Sequence, residues 1–202
     1  MDETDHRTAG NLEGVKRMRR WLSRDDVLEM ALKDTPMLVL SDGLYSWFSF
    51  RIKQHCRGEY NHAMWVVDPA TRDHDLTLVS QDWVLHETPA EKYLAGNHRL
   101  KFWHNPAWDG VQISDIRDRA WRLLKRPWYR RAYDAVGIVG HALRIPWFNA
   151  PHLQYCSEFA GELLRMVEPA FTMLHPSPSD INAWCKRNSQ MECWGVYDPD
   201  LE

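Results

Sequence analysis

One cysteine and one histidine in this chain stand in settings that favour thiol chemistry. Cys156 opens an apolar segment whose spacing predicts a helix over residues 156–167, and His62 lies in an apolar run, residues 60–67, typical of a strand. The thiolate is the nucleophilic form of cysteine, and a nearby imidazole can take the thiol proton. The start of a helix adds N–H groups and a positive dipole end, which favour a thiolate and can hold an oxyanion. Together the two residues predict acyl transfer through a Cys–His pair.

Each residue also has a plain structural interpretation. Cys156 falls on the apolar stripe of the predicted helix. Most free cysteines in such positions are buried and pack as small apolar side chains. His62 shares a strand face with Met64 and Val66, and a lone histidine on such a face is more often a hydrogen-bonded core residue. If Pro151 begins the helix, Cys156 lies more than a turn inside it and loses much of the dipole's effect. A catalytic role therefore requires that the strand and the helix bring both side chains together.

The motifs around both residues resemble a known family. Residues 61–67, Asn-His-Ala-Met-Trp-Val-Val, are similar to the SHVGIV-type strand of the circularly permuted papain-fold proteins related to the NlpC hydrolases, the YiiX-like group. Residues 155–160, Tyr-Cys-Ser-Glu-Phe-Ala, are similar to that group's YCSELV helix. The resemblance implies a papain-like fold in which Cys156 is the nucleophile and His62 its base. Further segments agree with the family in order, and they lie at residues 37–43, 84–94 and 177–181.

The third catalytic residue departs from the family pattern, which has a His or Glu on the next strand to orient the imidazole. Here the strand predicted over residues 76–81 ends in Ser80 and Gln81. Strand alternation places Ser80 on the more apolar face, so Ser80 is the first candidate for the catalytic orienting residue. Gln81 is the next candidate, and His86 and His104 are further ones. The plain alternative is that Ser80 and Gln81 simply end a strand.

The order of the predicted elements is helix, small antiparallel sheet, then further helices, which indicates an α+β fold. The candidate cap of the helix after the last loop is Ser179 or Asp180. The expected strands cover residues 35–40, 60–67, 76–81, 99–104 and 192–197, and the expected helices cover 111–124, 156–167 and 181–185.

The chain is expected to divide into two parts. Residues 1–34 form an N-terminal helical extension outside the resemblance, and residues 35–202 form the permuted papain-like domain. The pattern over residues 11–33 is helical but interrupted, with Ser23 as a plausible cap of its second piece. The extension has three open roles: to pack on the domain, to cover the site, or to bind a partner.

Composition limits the class of protein. The length of 202 residues and the apolar fraction of 44% suit one domain with a short appendage. A formal charge of −3 argues against a general nucleic-acid binder. The acidic N-terminus lacks an apolar signal segment, and no apolar run is long enough to span a bilayer, so we expect a cytoplasmic protein.

Metals and cofactors are not expected. The four cysteines and ten histidines show no spacing typical of a metal site. Reduced thiols are expected in the cytoplasm, and a disulfide between Cys185 and Cys193 stays open.

Three functions are compatible with these features. The leading prediction is a cysteine peptidase or amidase of bacterial or phage origin, which cleaves an amide, such as a cell-wall peptidoglycan peptide, or an ester. The second is a lipid acyltransferase or deacylase, because the aromatic and cationic stretch over residues 121–147 would suit a membrane surface. The third is a non-catalytic papain-like binding or structural module, which the missing standard third residue favours. Oligomeric state is left open by the sequence.

Overall fold

A mixed α+β arrangement is seen in the computed structural model, which describes residues 20–30, 36–43, 58–68, 76–96, 98–132 and 154–201. The strands are β1 (Trp21–Leu22), β2 (Met37–Asp42), β3 (His62–Val66), β4 (Thr77–Gln81), β5 (Leu85–Pro89), β6 (Arg99–His104) and β7 (Glu192–Tyr197). The helices are α1 (Arg24–Met30), α2 (Ala90–Leu94), α3 (Gly110–Leu124), α4 (Trp128–Arg131), α5 (Cys156–Val167) and α6 (Pro178–Arg187), followed by a 3₁₀ turn at Pro199–Leu201.

The strands form one seven-stranded sheet in the order β1-β7-β6-β2-β3-β4-β5. All neighbours are antiparallel except β1 and β7, which are parallel. In the β3–β4 pair Met64 lies opposite Ser80, and in the β2–β3 pair Ser41 lies opposite His62. The start of β3 therefore lies beside the residues that follow β4.

Both faces of the sheet are covered by apolar packing, as strand alternation predicts. One face carries Ala63 and Trp65 and packs against α5 and α3, and the indole N–H of Trp65 donates to the carbonyl oxygen of Ala160 at 3.2 Å. The opposite face carries Met64 and Val66. The apolar stripe predicted for α5 is buried on the first face, and its members are Phe159, Ala160, Leu163, Leu164 and Val167.

The described part of the N-terminal segment belongs to the sheet. The helical prediction was wrong at Trp21–Leu22, which pairs with β7 as a short strand, because sheet pairing overrides a weak helical pattern. A side chain at Gly195 would meet Leu22 at 2.6 Å, so only glycine leaves room for Leu22 there. The Ser23 cap is confirmed, since the Asp26 N–H donates to the Ser23 hydroxyl at 3.1 Å. Residues 11–19 lie outside the described part of the chain.

The cap predicted for α6 was wrong. Ser177, rather than Ser179 or Asp180, is the N-cap, and its hydroxyl accepts from the Asp180 N–H at 3.1 Å. Asp180 in turn accepts from the Ser177 N–H at 2.9 Å, which makes a reciprocal capping box. The helix starts earlier than expected because Pro178 fits the first helical position, where its missing N–H costs nothing.

Cys185 and Cys193 are free thiols, so the disulfide left open by the sequence is absent between these two described residues. Within the described ranges no helix has the length and apolar character needed to cross a bilayer.

Candidate active site

Cys156 is the first residue of α5. The helix begins there rather than at Pro151, because Tyr155 has an extended backbone, with φ −103° and ψ 168°, and is the N-cap. The N–H groups in the first turn of a helix have no acceptor within it, so those of Cys156 and Ser157 are suited to stabilising negative charge. Cys156 is 3% exposed. The sulfur therefore lies at the positive end of a buried helix.

His62 is the first residue of β3, and its ring lies close enough to Cys156 for the charge of each group to shift the pKa of the other. The ring Nε2 lies 2.9 Å from the Ser80 hydroxyl and 3.2 Å from a carboxylate oxygen of Asp82. Because Nε2 faces these oxygens, Nδ1 is the nitrogen left for the sulfur. The strand and the helix thus bring the predicted nucleophile and base together, with polar oxygens on the other side of the ring.

The charges of this pair support each other. Burial opposes ionisation of Cys156, but His62 and the backbone N–H groups of Ala63 and Ser157 outweigh it and lower the pKa of the thiol. Burial likewise opposes the charge of His62, but the Cys156 thiolate and the Asp82 carboxylate raise the pKa of His62 to about 10. Both shifts favour a thiolate–imidazolium pair at neutral pH.

Asp82 is a further residue of the candidate site, and the sequence patterns did not predict it. Its Oδ1 accepts from the Ser80 hydroxyl at 3.0 Å and faces His62, while its Oδ2 lies 3.4 Å from the ammonium of Lys92. Burial would raise the pKa of Asp82, but the hydrogen bond and charge of His62 outweigh burial and lower it. The imidazole is thus oriented by a carboxylate as well as by a hydroxyl.

A signal for Asp82 is present in the strand pairing. With Met64 opposite Ser80 in an antiparallel pair, the position opposite His62 is residue 82. Asp82 directly follows Gln81, the last residue of β4.

The other candidates for the third position lie away from the ring. The Gln81 amide donates to the carbonyl oxygen of Arg131 at 2.7 Å. The His86 ring contacts the Val84 carbonyl oxygen at 2.7 Å and lies 3.8 Å from the outer oxygen of Asp82. His104 pairs with Glu192 at the end of β6 remote from the site. Of the residues singled out from the sequence, Cys156, His62 and Ser80 are the ones that meet.

No group of three or more His, Cys, Asp or Glu side chains within the described ranges is placed to hold a metal ion. The site as described is a set of acid–base and nucleophilic groups. Solvent reaches it from the side of the imidazole, since the side chains of His62 and Asp82 are 16% and 30% exposed.

Comparison with known proteins gives a weak structural similarity. No protein-family model matches the chain, and no curated protein matches it. Among solved structures, the crystal structure of metalloprotein yiiX from Escherichia coli O157:H7 is similar, with a TM-score of 0.47 and 15% sequence identity over 68% of each chain. A YiiX-like protein is therefore a weak structural neighbour, and the permuted papain-like fold stays a prediction. A similarity of this size assigns neither a fold family nor an activity.

Proposed function

We propose that the chain is a cysteine hydrolase that cleaves an amide or an ester through an acyl-enzyme. The observation that supports this most is the proximity of Cys156 and His62, whose charges shift each other's pKa, with the Asp82 carboxylate 3.2 Å from the His62 Nε2. This arrangement has the logic of a nucleophile–base–orienter triad.

The reaction begins with the thiolate of Cys156 attacking the substrate carbonyl carbon. The oxygen of the resulting tetrahedral intermediate lies near the start of α5, where helix N–H groups can stabilise its charge. The His62 imidazolium then donates its Nδ1 proton to the departing amine or alcohol, and a thioester remains on Cys156. Neutral His62 next takes a proton from water, the resulting hydroxide attacks the thioester, and the thiol is released together with a carboxylic acid.

The preferred substrate class is an amide of the peptidoglycan-peptide type. This preference comes from the resemblance of the motifs at residues 61–67 and 155–160 to hydrolases related to NlpC. The same mechanism could also cleave an ester, because amide and ester hydrolysis both proceed through an acyl-enzyme.

An acyl-enzyme trap tests the proposal without knowledge of the natural substrate. Incubation with p-nitrophenyl acetate should add one acetyl group, which intact-mass and peptide-mapping measurements place on Cys156. The Cys156→Ala variant should gain no acetyl group at that site, and Cys193→Ala is the matched control that should still be acylated. Acetylation of every thiol at similar rates in native and urea-unfolded protein would contradict the proposal. A panel of peptidoglycan fragments, followed by mass spectrometry, then separates amide from ester preference.

A second candidate function is the cleavage or transfer of a lipid acyl group, and an exposed aromatic surface favours it. Trp83, Trp128 and Tyr129, here called the aromatic patch, are 74%, 70% and 56% exposed. Trp83 follows Asp82 directly, and α4 is tied to the same edge of the sheet by a hydrogen bond from Arg131 to the Leu85 carbonyl oxygen. Residues 121–132 contain five basic residues and no acidic one. Exposed aromatic rings beside cations suit the interface of an anionic bilayer.

Vesicle co-sedimentation tests this second function. Replacement of both Trp128 and Tyr129 by alanine should weaken binding to vesicles that contain phosphatidylglycerol by about 10-fold or more. Trp21→Ala is the matched control, because Trp21 is 49% exposed on β1 at the opposite edge of the sheet. The lipid function would be contradicted if the unaltered chain, the double variant and the Trp21→Ala variant bound equally well. It would also be contradicted if the unaltered chain did not bind anionic vesicles.

A further inference from the structure

We propose that Arg131 binds a carboxylate group of the substrate, so that the chain acts on an acidic amide or ester. This inference rests on the proposed function, because it names the substrate class of the same site. Arg131 is the last residue of α4, and the proposed reaction gives its side chain no other task.

The guanidinium of Arg131 is only partly satisfied by the protein. Its Nη1–H donates to the carbonyl oxygen of Leu85 at 3.1 Å. Its Nε is buried and has no hydrogen-bond partner, and no carboxylate within the described ranges forms an ion pair with this side chain. Arg131 as a whole is half-buried, so a ligand has access to the side chain. A half-buried cation that lacks an anion is unfavourable, and a bound anion would satisfy it.

The donors that remain on Arg131 share one edge of the guanidinium. Nη1 lies on the side of Cδ, so the Nε–H and one N–H of Nη2 point in parallel from the other edge. The two oxygens of a carboxylate match this pair of donors and accept one bond from each. The bond from Nη1 to Leu85 restricts the group before a ligand binds, which lowers the entropy lost on binding.

Arg131 lies beside the segment that orients His62. Gln81, the last residue of β4, donates through its side-chain amide to the Arg131 carbonyl oxygen at 2.7 Å. The residue after Arg131 forms an antiparallel bridge with Val84. The chain at the end of α4 therefore runs alongside the residues that flank Asp82, whose carboxylate is 3.2 Å from the His62 ring.

The same contacts place Arg131 on the face of the sheet that α5 covers. Gln81 and Leu85 lie opposite each other in the β4–β5 pair, and Leu85 belongs to the core cluster that includes the buried side chains of α5. Paired residues point to one face, so both side chains point toward the α5 face. Cys156 begins α5 close to His62, at this end of the sheet. A substrate that crosses the end of β4 would therefore contact both the nucleophile and Arg131.

Alkylation by two matched reagents tests the charge preference at Cys156. N-(iodoacetyl)glycine carries a carboxylate, and N-(iodoacetyl)glycinamide is its neutral counterpart of the same length. The measured quantity is the ratio of the two rate constants at Cys156, anionic over neutral, followed by peptide mapping at neutral pH. The ratio should be about 10-fold higher in the native protein than in Arg131→Gln, because the substitution removes a charge-assisted bidentate pair.

Arg130→Gln is the matched control, because Arg130 is exposed on the same helix and its replacement changes the net charge equally. Its ratio should stay within about twofold of the native value, since an exposed charge is screened by solvent. Equal ratios in the native and Arg131→Gln proteins would overturn the inference. An equal decrease in the Arg130→Gln and Arg131→Gln proteins would also overturn it, because the preference would then reflect general surface charge.

The neutral reagent reports whether the site survives the substitution, because its rate at Cys156 depends on the thiol and its surroundings. If Arg131→Gln lowers that rate, the Arg131→Lys protein decides the outcome. Lysine keeps the charge and lacks the paired donors, so only part of the native preference should remain. A preference in Arg131→Lys equal to the native one would contradict binding through the guanidinium edge.

Alkylation requires an accessible thiol and no hydrolysis, so the two proposals fail separately. A preference that depends on Arg131, in a protein that hydrolyses no amide or ester, would support the anion site and contradict the proposed function. Hydrolysis by a protein that shows no charge preference at Cys156 would contradict the role of Arg131 alone.

Discussion

Replacing His62 by alanine should lower kcat/KM for an ester or amide substrate by at least about 10³-fold while the fold is kept. The imidazole performs two tasks in the proposed reaction, since its charge holds the thiolate and its proton goes to the leaving group. Without it the burial of Cys156 is offset only by the backbone N–H groups of Ala63 and Ser157, so the pKa of the thiol should rise. Steady-state kinetics, together with circular dichroism to verify folding, measure this effect.

The matched control for that variant is His104→Ala. His104 lies at the remote end of β6 and pairs with Glu192, so its removal should change kcat/KM less than about threefold. Full activity in the His62→Ala protein, or an equal loss in both variants, would contradict the assignment of His62 as the base.

Replacing Asp82 by asparagine should lower kcat/KM about 100-fold, and it should do so more strongly than Ser80→Ala. Asparagine keeps the size of the side chain but removes the charge that helps to raise the pKa of His62 to about 10. The pKa of His62 should therefore fall, and that of Cys156 should rise because its imidazolium partner is weakened.

The pH profile gives the sign of this change. The thiolate–imidazolium pair exists between the pKa of Cys156 and the pKa of His62, so Asp82→Asn should move the acid limb of kcat/KM upward and the alkaline limb downward. The active pH range therefore narrows from both sides. Asp115→Asn, on the exposed surface of α3, is the control and should leave both limbs in place. A profile of unchanged width would show that Ser80 alone orients the ring.

The periodicity of apolar residues was sufficient to locate the strand that carries His62 and the helix that carries Cys156. The alternation over residues 60–67 and the apolar stripe after Cys156 each reflect burial against one surface, which a local pattern records directly. Asp82 was not predicted from the sequence because its position beside His62 depends on strand register, which is set by the pairing of β3 with β4.

The ends of elements were harder to predict than their centres. Trp21 and Leu22 form a strand because they pair in parallel with β7, and the local residue pattern does not reveal this pairing. The N-cap of α6 is Ser177 rather than the predicted Ser179 or Asp180, because Pro178 is well accommodated at the first helical position.

In the proposed mechanism His62 activates Cys156, and the alkylation rate of Cys156 across pH tests this activation most directly. An ordinary thiol has a pKa of about 8.5 and is less than about 1% ionised at pH 6. Iodoacetamide, with peptide mapping to follow Cys156, should react at pH 6 at a rate close to that at pH 8 in the native protein. The same cysteine in urea-unfolded protein and in the His62→Ala variant should instead react about 10-fold faster with each pH unit over that range. If native Cys156 follows the steep profile of the unfolded chain, the thiol is an inert core residue and the catalytic account fails.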